Sequence, residues 1–259
     1  MQGDFTRLLI EEDTNVTWKS FLWGLPRGVA KFAINAGLNT LPSADNLKRW
    51  GKRTSDICKV CNTGKQTLHH ILSSCNISLE QGRLTFRHDS CLKTIYDFIK
   101  QKLKPDNVIF CDLIGNEAWG GGRTIPTHII TTSQRPDLVI INEQERLVIL
   151  FELSVPWDSN INSAHTYKQN KYSALKLDLQ AAGFFTFLFC FEVSVRGQIS
   201  KSNKSQLKTF LFKSTDYPRS NFKSFINNIS KAALLGSFTI FNARNEPSWS
   251  TTPPLSVKI

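Results

Sequence analysis

Four side chains of the kind that bind metals follow one another at a tight spacing: Cys58-x2-Cys61-x8-His70-x4-Cys75. A Cys-x2-Cys pair supplies two thiolates from one turn, and four such ligands complete the tetrahedron that structural Zn²⁺ prefers. Three of the 6 cysteines fall within this stretch, which argues against buried free thiols beside a chance histidine. His69 competes with His70 as the fourth ligand, although the four-residue gap before Cys75 favours His70. The pattern predicts a closed structural zinc site.

The composition indicates a folded protein and excludes several classes. A chain of 259 residues makes one large domain or two modest ones, and 41% apolar residues with 18 Phe supply an aromatic-rich core. The longest apolar run, 181–191, is too short to cross a bilayer. Residues 11–13 are acidic, where a secretory signal needs basic and then apolar residues. We therefore expect the protein in the nucleus, or in the cytoplasm before import.

Charge is distributed unevenly along the chain, whose net charge is +11. Residues 46–104 carry 12 basic and 4 acidic side chains, and residues 196–223 carry 7 and 1. The intervening residues 105–195 carry 6 basic and 10 acidic side chains. Ordinary solvated surface charge is the simpler explanation of this uneven distribution. The alternative is that basic flanks hold a polyanion while central carboxylates act on it. The candidate DNA contacts in the first block are Lys48, Arg49, Lys52 and Arg53.

Hydrophobic periodicity predicts an α/β (α+β) fold, with a helical N-terminal part followed by a mixed sheet flanked by helices. Helices are predicted at residues 29–36, 47–50, 67–74, 83–103 and 163–182. Strands are predicted at residues 108–110, 129–132, 137–141, 147–153 and 184–195. The third and fourth of these strands are joined as a hairpin. The tail from residue 248 is predicted to be disordered.

Two carboxylates lie at neighbouring strand ends of the predicted hairpin. Asp137 opens the first strand and Glu152 closes the second, so they lie close enough to share one hard cation such as Mg²⁺. Surface charge is again the plain alternative. On the helix 163–182, Lys168 falls in the middle of the apolar face and Lys171 at its edge. A lysine at such a position either extends to solvent or meets an anion, and the carboxylate pair supplies one.

These residues carry a resemblance to a known family. Pro136-Asp137, then Glu152, then Lys168-x2-Lys171-Tyr172 resemble the PD-(D/E)XK nuclease pattern. With the cysteine–histidine spacing and the element Arg87-His88-Asp89 upstream, the chain resembles the restriction-like endonuclease region of site-specific non-LTR retrotransposon polyproteins. Residues 18–50 are similar to the linker that follows the reverse transcriptase thumb in those proteins, and the likeness spans residues 17–215.

The resemblance implies a DNA-nicking enzyme with Mg²⁺ or Mn²⁺ held by Asp137 and Glu152. The catalytic lysine then comes from the helix, because the position two after Glu152 is Ser154. The helical-face argument favours Lys168, and the choice between it and Lys171 stays open. Residues that support the site in this resemblance are Arg135, Pro136, Tyr172, Arg87 and His88. The expected partner is target DNA, with element RNA as a second candidate, and no membrane or small-molecule substrate is expected.

The resemblance also divides the chain into a helical linker at 1–53, a zinc knuckle at 54–78, an endonuclease domain at 83–215 and an extension at 216–259. The sequence lacks a Tyr/Phe-x-Asp-Asp motif, so we expect no polymerase and a truncated or domesticated retrotransposon fragment. A zinc protein that binds nucleic acid through an inert nuclease site is the alternative. The intact residues Asp137, Glu152 and Lys168 favour the enzyme.

Overall fold

The computed structural model describes residues 21–113, 124–216 and 221–250. The helices within these ranges are α1 (Arg27–Gly37), α2 (Ala44–Arg49), α3 (Asn76–Glu80), α4 (Arg83–Lys100), α5 (Ile161–Ala181), α6 (Lys201–Ser214) and α7 (Phe222–Asn242). A π-helical turn covers His70–Ser74 and a 3-10 turn covers Asp158–Asn160. The strands are β1 (Val108–Cys111), β2 (Leu138–Asn142), β3 (Leu147–Ser154) and β4 (Phe185–Glu192). No helix in these ranges is long and apolar enough to cross a membrane.

The strands form one mixed sheet in the order β1-β2-β3-β4. Strand β2 is antiparallel to both of its neighbours, β1 and β3, whereas β3 and β4 are parallel and are connected through α5. The predicted hairpin is confirmed, with Leu138 opposite Phe151. On the other side of β3, Glu152 lies opposite Cys190 of β4. This register puts the start of β2 beside the end of β3, where both predicted carboxylates lie.

Helices cover both faces of the sheet. Helices α4, α6 and α7 pack on one face, and the largest core cluster there includes Phe151, Phe210 and Phe225. Helix α5 covers the other face, where Tyr172 and Leu179 pack against the apolar side chains of β2 and β3. Because both faces are covered, β2 is buried along its whole length. The mixed α/β class predicted from the sequence is therefore confirmed.

A further apolar cluster joins the zinc-ligand region to the last helix. Leu68, Ile71 and Leu72 lie between the zinc ligands and pack with Phe32 of α1 and Phe241 of α7. The largest cluster also contains side chains from the first half of α7. Helix α7 therefore contributes to the sheet core and to the core beside the zinc ligands. The division of the chain into domains stays a prediction.

Several local predictions differ from the structure. Residues 129–132 form no strand, because the carbonyl of Pro126 accepts hydrogen bonds from the amides of Ile129 and Ile130 and turns the chain. The predicted disordered tail begins too early, since Trp249 packs against Phe86 with ring centroids 5.5 Å apart. Helices α6 and α7 have no counterpart in the sequence analysis. The aromatic segment around Trp18 and the Pro253-Pro254 pair lie outside the described residues.

Gly236 in α7 allows a close approach to α4, which gives a stability prediction. A Cβ at this position would lie 2.7 Å from Cγ and 3.0 Å from Cα of Arg87, so the backbone itself would have to move. We expect Gly236→Ala to lower the free energy of unfolding by about 1–3 kcal/mol. Gly28→Ala in α1 is the matched control, because its Cβ would meet only Phe238 at 3.5 Å. Urea unfolding in which Gly236→Ala is as stable as Gly28→Ala would contradict this packing.

Candidate functional site

The four predicted zinc ligands come together around one point. The donor atoms of Cys58, Cys61, His70 and Cys75 all lie within 4.8 Å of one another. Tetrahedral Zn²⁺ with Zn–S bonds of about 2.3 Å separates two sulfurs by about 3.8 Å, so the cluster fits this ion. Cys58 and Cys61 come from one turn, and His70 and Cys75 stand at the two ends of the π-helical turn.

The structure distinguishes the two neighbouring histidines. Nε2 of His70 lies 3.4 Å from Sγ of Cys61. The ring is packed so closely against Gly64 that a Cβ there would lie 2.8 Å from Cε1 of His70. His69 instead lies edge-on to Trp157 and contacts Ser74 Oγ through Nδ1 at 3.1 Å. His70 is therefore the histidine of the cluster.

The electrostatics of the cluster favour a thiolate. Burial raises the pKa of Cys61, but hydrogen bonds from Thr63, from the amide of Gly64 and from His70 outweigh it and bring the pKa to about 6. Burial raises the pKa of Cys58, so its thiol depends more on a cation for ionisation. Zinc is bound by thiolates, which makes at least one ligand ready for the metal at neutral pH.

Comparison with protein families bears on this region. Residues 5–81 match the family described as zinc-binding in reverse transcriptase. This region of the chain matches a reverse-transcriptase zinc-binding domain, and we refer to it as the zinc-binding domain. Comparison with curated proteins found no match. The zinc site predicted from the cysteine and histidine spacing thus rests on both the family match and the geometry of the cluster.

Beyond the zinc-binding domain, Asp137 and Glu152 meet where β2 begins beside β3. The amide of Asp137 donates to Oε2 of Glu152 at 3.1 Å, and the amide of Leu153 donates to Oδ2 of Asp137 at 2.7 Å. Glu152 is buried, at 2% exposure. The backbone of each strand thus holds the carboxylate of the other, and the two acidic side chains form a pair.

The two candidate lysines of α5 have different environments. Nζ of Lys168 donates to Oε1 of Glu152. Nζ of Lys171 donates to the hydroxyl of Tyr172 at 2.8 Å and lies over that ring, 4.6 Å from its centroid. The structure therefore brings Lys168 to the carboxylate pair and directs Lys171 to the tyrosine. The catalytic role of either lysine stays a prediction.

The side chains of the adjacent residues Arg87 and His88 also have different environments. His88 faces the site, with Nε2 3.2 Å from Oδ2 of Asp137 and Nδ1 3.0 Å from Asp89. Arg87 faces the interior, where Nη1 donates to the carbonyl of Leu72 at 2.9 Å and Nη2 to that of Val155 at 3.3 Å. His88 thus belongs to the carboxylate site, whereas Arg87 links the zinc-binding domain to the end of β3.

The ionisable groups of the carboxylate site shift one another's pKa values. Burial and the charge of Asp137 raise the pKa of Glu152 against the opposing effect of Lys168. Burial also acts on Asp137, but His88 outweighs it and lowers the pKa of that carboxyl. Burial lowers the pKa of His88, and the charges of Asp137 and Asp89 outweigh it and raise the pKa to about 10. Two carboxylates that repel each other and attract cations are typical of a cation-binding site.

The remaining predicted supporting residues hold the segment that precedes β2. The hydroxyl of the buried Tyr172 donates to the carbonyl of Arg135 at 3.0 Å. The guanidinium of Arg135 pairs with Asp112 just after β1. Pro136, which lies between Arg135 and Asp137 in the sequence, is buried. Together these contacts fix the backbone that presents Asp137, without bringing the Arg135 side chain to the carboxylates.

The four candidate DNA contacts lie at the end of α2 and on the loop that leads to the zinc ligands. Lys48 is exposed but pairs with Asp56 at 3.1 Å. Arg49 donates to the side chain of Asn46. Lys52 is exposed and Arg53 is half-buried. Their contact with DNA stays a prediction.

The sequence analysis missed a second contact between a side chain on the same face of α5 and a buried carboxylate. Nδ1 of His165 lies 3.1 Å from Oε1 of Glu192, which ends β4 and is 1% exposed. His165 lies three residues before Lys168, as expected for neighbours on one helical face. The sequence signal was this spacing, which places His165 on the same helical face as Lys168, whereas its partner Glu192 lies 27 residues away.

A cleft that the sequence analysis also missed extends from the carboxylate site. It has a volume of about 660 Å³ and lies between the zinc-binding domain, the start of α4, the end of β3 and the start of α5. His88 and Lys168 line it, so the cleft opens onto the carboxylate pair. Trp157 and Tyr167 form aromatic walls. Segments that are far apart in the sequence form this cleft, so no local sequence pattern predicts it.

Proposed function

We propose that the protein is a metal-dependent DNA endonuclease that nicks DNA by hydrolysing a phosphodiester. The observation that carries the proposal is the contact of Lys168 with Glu152, beside Asp137, at the mouth of a cleft. The resemblance to the PD-(D/E)XK pattern names the same three residues. Such a function would require the protein to act where DNA is, which is why we expect it in the nucleus.

Each residue of the carboxylate site would have a defined role in the reaction. Asp137 and Glu152 are the residues that would hold Mg²⁺ or Mn²⁺, because two carboxylates offer the oxygen ligands these ions prefer. When bound, such an ion supplies charge to the scissile phosphate and a more acidic water. Lys168 would orient the attacking water and stabilise the negative charge that develops on the phosphate. His88 would hold Asp137 in position through its 3.2 Å contact.

A second candidate function is nucleic-acid binding without cleavage. One observation favours it: each carboxylate already has a cationic partner within the chain, His88 for Asp137 and Lys168 for Glu152. A metal ion would have to share Asp137 with a histidine that the charges of Asp137 and Asp89 keep protonated. In this function the zinc-binding domain and the basic residues beside it would bind the phosphate backbone.

Purified protein incubated with supercoiled plasmid separates the two functions. With Mg²⁺ or Mn²⁺ added, the enzyme converts supercoiled plasmid to the relaxed circular form, because one phosphodiester is cut. The same protein without an added divalent cation is the control and leaves the plasmid intact. If no divalent cation supports nicking although the protein binds the plasmid, the binding function replaces the enzyme.

The basic residues beside the zinc ligands give a binding prediction. We expect the affinity for duplex DNA to fall steeply with salt, with a log–log slope of about −0.9 for each neutralised phosphate. Replacing Lys48, Arg49, Lys52 and Arg53 with Ala should flatten the slope, measured by fluorescence anisotropy, and should leave the zinc content unchanged. A variant with Arg27, Lys31, Lys176 and Lys231 replaced by Ala removes the same charge outside both basic blocks. If both variants flatten the slope equally, the binding is not localised to the first set.

A further inference from the structure

The walls of the cleft differ from what a phosphate alone requires. Much of its surface is apolar and aromatic, with Leu84, Trp157 and Tyr167 among the lining residues. Trp157 is held in place by Arg196, whose guanidinium carbon lies 4.7 Å from the ring centroid, and by the edge of His69. Tyr167 is 65% exposed on α5. A volume of about 660 Å³ is in the range of sites that enclose small organic groups.

The polar groups of the cleft favour an anionic ligand with hydrogen-bonding edges. Arg87, His88 and Lys168 line the cleft, and none of its described lining residues is acidic. Ser73 and Arg87 each contribute a buried polar atom, Oγ and Nε, that has no hydrogen-bond partner in the described structure. Buried polar atoms are normally paired, so these two are unsatisfied hydrogen-bonding groups in residues that line the cleft. The Arg87 side chain itself is 2% exposed.

A stacked duplex cannot fill such a cleft. Its phosphates and sugars face outward while its bases lie inside the stack, so only the phosphate would reach Lys168 and the aromatic walls would face water. A base that has left the stack is flat and apolar on its faces and hydrogen-bonds along its edge. It therefore matches aromatic side chains together with free polar atoms, and its own phosphate matches the cations at the mouth.

We propose that the cleft binds an unpaired nucleotide of DNA beside the phosphate at Lys168, so that the protein prefers DNA with unpaired bases to a perfect duplex. The inference rests on the proposed function, because it assigns the substrate class of that site. Tyr167 then contributes by stacking on the base, and Ser73 and Asn160 lie where they can contact its edge.

The test compares two short fluorescent duplexes that are identical except for one bulged nucleotide. Binding is measured by anisotropy without added divalent cation, so that cleavage does not interfere. We expect the wild-type chain to bind the bulged duplex about tenfold more tightly, the size expected for one base stacked on an aromatic side chain. Tyr167→Ala should remove most of this preference and keep the affinity for the perfect duplex, while Tyr167→Phe should retain it.

Leu177→Ala is the matched control, because Leu177 is 63% exposed on the same helix and does not line the cleft. Equal affinity of the wild type for the two duplexes overturns the inference. So does a preference that Tyr167→Ala leaves unchanged, since the bulge is then recognised elsewhere. Plasmid nicking is scored separately: nicking without a bulge preference refutes only the cleft assignment, and a bulge preference without nicking refutes only the enzyme.

Discussion

Asp137→Ala and Glu152→Ala are each expected to abolish plasmid nicking while leaving DNA binding intact or slightly tighter. Each carboxylate would hold the cation and also repel the phosphate, so its removal costs catalysis and relieves repulsion. The measurement is the initial rate of nicking with Mg²⁺ and with Mn²⁺, beside the affinity for duplex DNA. Glu152→Gln keeps the volume of this buried side chain and guards against a loss that is due to misfolding. A nicking rate unchanged in either Ala variant would refute the assignment of the site.

The two lysines of α5 provide a matched comparison within the same experiment. Lys168→Ala should lower the nicking rate by about two or more powers of ten, because a positioned charge acts mainly in the transition state. Lys171→Ala should lower it less, since Lys171 contacts Tyr172 and not a carboxylate. The reverse ranking would assign the catalytic role to Lys171.

Loss of zinc is expected to unfold the zinc-binding domain. Structural zinc contributes about 10–16 kcal/mol to folding in small zinc peptides, which is comparable with the total stability of many domains. His70→Ala should therefore lose the metal, measured by elemental analysis, and lower the melting temperature. His69→Ala is its natural control and should keep about one zinc per chain. Zinc retained in His70→Ala but lost in His69→Ala would reverse the choice of ligand.

The unfolding should extend beyond the ligands. Leu72 lies in the same apolar cluster as Phe32 and Phe241, so disorder around the metal removes packing from both α1 and α7. We expect the near-ultraviolet circular dichroism of the aromatic side chains to fall with the zinc content. A spectrum unchanged on zinc removal would mean that the surrounding core holds this region without the metal.

Local patterns predicted the zinc cluster, the hairpin and the helical face that carries Lys168. In each case the information lies within a few residues: ligand spacing, alternation of apolar side chains, or a 3.6-residue period. The hairpin also determined the meeting of Asp137 with Glu152, because strand register places the start of one strand opposite the end of the other. Short-range patterns were thus sufficient for the zinc ligands and for the pairing of Asp137 with Glu152, but not for the cleft.

Features that depend on distant partners were not predicted. Apolar residues recur through 222–242 with a helical period, but nothing local shows that this helix packs against α4 and two cores. The role of Arg87 could not be predicted either, because two of its hydrogen-bond acceptors are carbonyls of residues 15 and 68 positions away in the sequence. Residues 129–132 are β-branched, and a turn set by Pro126 overrides that preference.

The position of Arg87 restricts how this protein can be recombined with others. Burial lowers the pKa of its guanidinium to about 10, and among its contacts are Leu72 in the zinc-binding domain and Ser237 in α7. A chimera that grafts a foreign zinc-binding domain onto residues 83–250 would therefore retain a buried cation and lose the Leu72 segment that supplies one of its acceptor carbonyls. A workable exchange would have to carry Arg87 and the small residues of α7 that accommodate it, Gly236 and Ser237, along with the zinc ligands.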